Sequence, residues 1–282
     1  MNGTYVSGGA RLGFSDFNAG SGSGLPVIFL HPTPLDRDYW RPACAQLPGV
    51  RAIAADFRGH GVSELGHGLP VGAFKRVPDA PVLTMAQLAG DVLALLDHLG
   101  LESAAFAGCS IGGYVMLELW RQAPHRMRGL AFVCSKPQPD AEANLAKREA
   151  TIAQARSGGV GGIFDGMAQS LVGAAARARR PEIAAEVRAH MTLSLEALVA
   201  VQAGLAVRPD SMPTVRTIHA PVLAIAGGAD PSVAPEEMKA FQAAPGGCAF
   251  HLLAEAGHFA AYEQPDDVAA LLSAWLRRLG RE

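Results

Sequence analysis

The sequence predicts an α/β protein: a mostly parallel central sheet with helices on both faces, interrupted by an all-helical insertion. Three observations predict it. Short, continuously apolar runs alternate with helical stripes from about residue 25 to 134, and the rhythm resumes from about 220 to 280. The runs lack the in–out alternation of a one-sided sheet, as expected for parallel strands covered on both faces. Residues 137–215 break the rhythm, with helical stripes and no convincing strand. The expected organisation is a core of residues 1–136 and 216–282, with 137–215 as a helical cap.

Taken in order, the strand candidates are Pro26 to Leu30, Val50 to Ala55, Ala104 to Ala107, Leu130 to Cys134 and Val222 to Ala226, with Phe250 to Leu253 weaker. The first clear helix follows Thr84 and Gln87, which have capping-box spacing. Leu88, Val92, Leu95, Leu96 and Leu99 then form one apolar stripe, and Gly100 ends it. Residues 111–123 are apolar on nearly all sides, which predicts a helix buried against the sheet and stopped by Pro124. In the insertion, Ile163, Met167 and Leu171 form one stripe, and Ile183, Val187, Met191, Leu195 and Leu198 another. Pro265, Asp266 and Asp267 open the last helix, where a proline fits N1 and the helix dipole favours acids.

Composition excludes several classes. The chain has 282 residues, 49% hydrophobic and 18% charged, which is globular rather than disordered. Net charge is −2, and the basic residues are scattered, so nothing predicts nucleic-acid binding. Cys44, Cys109, Cys134 and Cys248 show no metal-site or disulfide spacing; they read as small apolar residues in a reducing compartment. No apolar signal segment and no membrane span is read, so a cytoplasmic location is expected. Oligomeric state is open.

The chemistry centres on Gly108-Cys109-Ser110-Ile111-Gly112-Gly113, a G-x-S-x-G-G run between a strand and a buried helix. Such a turn holds the serine in a strained conformation with its Oγ clear of the sheet. Gly108, Gly112 and Gly113 let strand and helix approach. The helix N-terminus leaves a free N–H at Ile111, suited to an oxyanion. Cys109 points away from Ser110.

For the base, strand carboxyl ends leave His31, His60 and His258 among nine histidines. The Ser…Asp…His order of this motif selects His258. Asp230, in Gly227-Gly228-Ala229-Asp230-Pro231, is the leading acid, with Asp140 as its rival; Asp56 precedes Ser110 and is disfavoured by order.

Together these segments resemble the α/β-hydrolase superfamily, in its Ser-His-Asp branch of small carboxylesterases and enol-lactonases. The resemblance also rests on His31-Pro32-Thr33-Pro34, similar to the family's His-Gly-x-Pro loop, and on Asp56 to Ser63, similar to its D-x-R-G-x-G-x-S loop. It implies an α/β-hydrolase fold, a Ser110–Asp230–His258 triad, and oxyanion N–H groups from Thr33 and Ile111. Pro32 stands where the family has glycine; Pro32 and Pro34 stiffen the loop and favour a cis bond.

The implied activity is hydrolysis of a small-molecule carboxylic ester or lactone through an acyl-enzyme, with no metal or organic cofactor. Serine at the elbow argues against the dehalogenases and epoxide hydrolases of this fold, which use aspartate there. Alternatives are a C–C bond hydrolase or cofactor-free perhydrolase with the same triad, or a non-catalytic ligand-binding homologue. Phe164, Met167, Leu171, Met191 and Leu195 are candidates for the pocket lining. Arg177, Arg179, Arg180 and Arg188 are expected on a solvated face, and one turned inward would point to an acidic substrate.

Overall fold

Strong β-formers and small residues pack the centre of the sheet. The computed structural model describes residues 1–18 and 24–280. Its eight strands are β1 (Asn2–Ser7), β2 (Ala10–Asp16), β3 (Val27–Leu30), β4 (Ala52–Ala55), β5 (Ala104–Cys109), β6 (Met127–Val133), β7 (Val222–Gly227) and β8 (Cys248–Leu253). They lie in the order β1-β2-β4-β3-β5-β6-β7-β8. β1–β2 and β2–β4 pair antiparallel, and all other neighbours pair parallel. Every residue of β3, β4, β5 and β7 is buried, as two covered faces require.

Sequence periodicity did not register β1 and β2. They form a hairpin whose turn, Gly8-Gly9, has φ of 50° and 77° at its two residues. Glycine accepts those values without a Cβ clash. The weaker candidate at 250–253 is a full edge strand, β8, starting at Cys248. Leu252 is 51% exposed there, which explains the diluted apolar signal.

Helices α1 (Arg41–Ala45), α2 (Met85–His98) and α3 (Ile111–Gln122) follow β3, β4 and β5. Thr84 Oγ1 accepts from Gln87 N at 3.1 Å, capping α2, and Gly100 takes φ 64° just past its end. Ten consecutive residues of α3, Ile111 to Trp120, are buried, as its all-round apolarity predicts. Between β6 and β7 lie α4 (Glu142–Gly158), α5 (Gly161–Leu171), α6 (Ala174–Arg179), α7 (Ile183–Ala189), α8 (Leu195–Ala206) and α9 (Met212–Val215), with no strand. The short α10 (Pro235–Met238) follows β7, and α11 (Ala260–Glu263) and α12 (Pro265–Leu279) follow β8. Val268, Leu272, Trp275 and Leu279 turn the stripe of α12 inward.

Topology then places the site. β4 lies on one side of β3 and β5 on the other, so the direction of winding reverses between β3 and β5. Ligands in such sheets bind beyond the strand carboxyl ends at that reversal. Leu30 sits opposite Gly108 in the β3–β5 register, so the residues just past each, Thr33 and Ser110, leave the sheet side by side.

Candidate active site

Ser110 caps α3 with φ 52° and ψ −116°, outside the regions that side-chain-bearing residues favour. The surroundings enforce this. Ser110 N donates to Val133 O at 3.0 Å, and Ser110 O accepts from Ser135 Oγ at 2.9 Å and from Gly113 N at 2.9 Å. The elbow glycines are required by close approach. A Cβ on Gly108 would meet Gly112 C at 2.5 Å, one on Gly112 would meet Leu30 O at 2.3 Å, and one on Gly113 would meet Ser135 Oγ at 2.2 Å. Cys109 points into the core, donating to His258 O at 3.5 Å, and burial pushes its thiol pKa up.

His258 and Asp230 come together. His258 Nδ1 donates to Asp230 Oδ2 at 2.8 Å, and Asp230 Oδ1 accepts from Ser232 N at 2.7 Å and Val233 N at 3.2 Å. Burial disfavours the charged form of each, but their mutual attraction wins. It holds the His258 pKa above, and the Asp230 pKa below, the ordinary values. Asp140, the rival acid, is elsewhere engaged: Arg148 and Arg208 take its two oxygens. Asp56 is paired with Arg37 and accepts from Val62 N at 3.0 Å.

The other two histidine candidates are buried and fully engaged. His31 Nε2 accepts from Phe57 N at 3.0 Å, so its Nδ1–H donates to Pro32 O at 3.0 Å. His60 Nδ1–H donates to Arg58 O at 2.9 Å, which leaves Nε2 to accept from Thr33 Oγ1 at 2.9 Å. Burial and the neighbouring His31 lower the His60 pKa to about 3, so the ring is neutral. Arg58 holds its loop in place, forming a two-pronged pair with Asp91 and donating to Ser7 O.

Thr33, Ser110 and His258 line one cavity of about 260 Å³ at the strand carboxyl ends, with helices of the insertion opposite. Among the described residues, neither Thr33 N–H nor Ile111 N–H has an acceptor, and no hydrogen bond joins Ser110 to His258. The Thr33–Pro34 bond is cis. Of the expected lining, Met167 and Leu171 reach the cavity. Phe164 and Met191 are buried in the apolar core instead, and Leu195 is 41% exposed at the surface.

Glu263 escaped the sequence reading. Its Oε2 accepts from Gly257 N and Gly173 N, both at 2.9 Å, and its Oε1 from Phe259 N at 3.1 Å. One buried carboxylate thus holds the His258 loop against the insertion. An acid five residues after a histidine carries no sequence signal of that kind. Elsewhere, Asp36, Asp38 and His190 bring three possible ligand atoms within 4.8 Å of one another, but none lines the cavity. Among the described residues no helix is long and apolar enough to cross a membrane.

Residues 27–271 match the family described as the alpha/beta hydrolase family. A thermophilic esterase from Thermogutta terrifontis, solved with malate bound, superposes with TM-score 0.86 at 29% identity over 99% of both chains. The enol-lactonase from Burkholderia xenovorans LB400 shares the fold, with TM-score 0.85 at 24% identity over 98% of this chain and all of that one. The dihydrolipoyllysine-residue acetyltransferase component of the acetoin cleaving system from Cupriavidus necator is 28% identical over 89% of this chain and 63% of its own length. Two further curated relatives are matched over only 29% and 34% of their lengths.

Proposed function

Because the chain belongs to the alpha/beta hydrolase family, we propose that it is a serine hydrolase that cleaves a carboxylic ester or lactone. One observation carries the reading. Ser110, strained at the head of α3, opens onto the same cavity as His258, and His258 is bonded to buried Asp230.

The chemistry follows from that arrangement. His258 Nε2 takes the Ser110 proton as Oγ attacks the substrate carbonyl. The unspent N–H groups of Thr33 and Ile111 receive the oxyanion, the first steadied by the Thr33 hydroxyl on His60. Imidazolium then protonates the leaving alkoxide, and water, deprotonated by His258, releases the acid. Asp230 keeps Nδ1 protonated and stabilises the imidazolium. The helices between β6 and β7 act as the cap that closes the cavity.

A serine-directed fluorophosphonate tests this. It should add stoichiometrically to Ser110 by intact mass, and Ser110→Ala should abolish the adduct. The same variant should cut ester turnover by roughly 10⁴ or more with an unchanged circular dichroism spectrum. No adduct and no turnover across a panel of esters and lactones would favour a ligand-binding protein. Labelling with only carbon–carbon bond cleavage, or only peracid formation from a carboxylic acid and hydrogen peroxide, would move the assignment within the same triad chemistry.

A further inference from the structure

The cavity wall is more cationic than hydrolysis of a neutral ester requires. Lys136, Lys147 and Arg148 all line it. None belongs to the arginines expected on a solvated face: Arg179 pairs with Glu255, Arg180 with Glu186 and Arg188 with Asp165, while Arg177 donates to the Gln169 and Val172 carbonyls.

Arg148 is built into place. Its Nε donates to Asp140 Oδ2 at 2.6 Å and its Nη1 to Gln202 Oε1 at 2.8 Å. Its other three N–H bonds, one on Nη1 and two on Nη2, reach no acceptor among the described residues. Asp140 does not neutralise it alone, because the opposite oxygen pairs with Arg208 at 2.8 Å. Two guanidinium groups therefore share one carboxylate whose side chain is 2% exposed. Lys136, itself buried, donates to Glu237 Oε1 at 2.6 Å, and Lys147 has no acidic partner among the described residues. The remaining acid, Asp230, is turned to His258 and two backbone N–H groups. Around the cavity four cations, Lys136, Lys147, Arg148 and Arg208, thus face three carboxylates, Asp140, Glu237 and Asp230, in a chain of net charge −2.

Resting on the hydrolase reading above, we infer that the substrate is an ester or lactone carrying a second carboxylate, and that Arg148 is the residue that receives it. A guanidinium fixed from one side, with adjacent N–H bonds free on the other, matches a carboxylate in two-pronged fashion. Lys147 and Lys136 add positive potential along the approach. A neutral substrate offers those donors no charged acceptor.

The test compares monomethyl glutarate with its neutral isostere, methyl 5-methylhexanoate, by pH-stat. Wild-type kcat/KM should favour the glutarate at least tenfold. Arg148→Gln should collapse that ratio toward one, chiefly through KM. Arg148→Lys keeps a charge opposite Asp140, so it guards against misfolding, and it should also lower the ratio because a point charge lacks the fork. A wild-type ratio near or below one, or one unmoved in both variants, overturns the inference while leaving the hydrolase reading intact. If neither ester is cleaved, fluorophosphonate labelling judges the hydrolase reading separately. Glutarate titration by calorimetry then judges the anion site: binding weakened at least tenfold by Arg148→Gln supports it, and no binding overturns it.

Discussion

Asp230 and His258 set each other's ionisation, and the sign of that coupling gives a pH prediction. The Asp230 charge and hydrogen bond raise the His258 pKa against the pull of burial. A general base must be neutral, so kcat/KM should climb with pH and level off above the imidazole pKa. The midpoint should lie above the ordinary value of about 6.5. Asp230→Asn removes the larger raising influence and leaves burial opposed only by the weaker pull of Glu263, so the midpoint should move to lower pH. The plateau should also fall by roughly 10⁴, as the ring loses its orienting partner. A pH profile of kcat/KM for both proteins measures each effect. An unmoved midpoint would show that Asp230 is not the charge His258 responds to.

At the scale of elements, glycine serves two opposite purposes, and substitution separates them. At Gly112 in α3, a Cβ would strike the Leu30 carbonyl at 2.3 Å, and a strand backbone cannot move aside. Gly112→Ala should therefore destabilise the fold by about 1–3 kcal/mol, despite the helical preference of alanine. Gly166, mid-helix in α5, has nothing within 4 Å of such a Cβ. Gly166→Ala should stabilise by about 0.5–1 kcal/mol. Urea denaturation of the two variants reads both signs. The need for small residues at the elbow was legible in the sequence, because the motif and its strand–helix setting occur together. The central strands and the stripes of α2, α3 and α12 were legible for a related reason: two-sided burial leaves long apolar runs. The β1–β2 hairpin was not, since β1 is exposed or half-buried at all but one residue, polar residues such as Arg11, Ser15 and Asp16 interrupt the apolar run of β2, and only Gly8-Gly9 marks the turn. The charged cavity wall was also hidden. Arg148 lies on a helix with little amphipathic contrast, and only tertiary contacts with Asp140 and Gln202 turn it inward.

Across the whole molecule, the helices between β6 and β7 are joined to the sheet by every kind of contact. One apolar core runs from β3 and β5 through Phe164, Val187 and Leu198. A second, smaller one packs Phe74, Val77 and Val82 of the chain after β4 against Ile152 and Val199. Backbone joins too: Leu83 N donates to Ala200 O at 3.0 Å, and a Cβ on Gly204 would meet Leu83 O at 1.8 Å. Arg76 reaches Glu142 and Glu149 of α4 across the same seam. Surface ion pairs like these add little, about 0–1 kcal/mol each, so the shared apolar core decides the outcome. Removing the helical segment would expose that core, and even the smaller cluster is completed by Phe74, Val77 and Val82 of the chain after β4 rather than by the segment alone. Thermal unfolding should therefore be one transition, with calorimetric and van't Hoff enthalpies in agreement. Two resolved transitions would mean that the segment folds by itself. In that case the cavity would open by displacement of a whole cap. A single transition restricts access to local movement around α4 and α5, whose residues Lys147, Arg148 and Met167 line the cavity. The same calorimetry with glutarate present should raise the midpoint if the anion bridges that seam, since a ligand held only by the native state stabilises it by mass action.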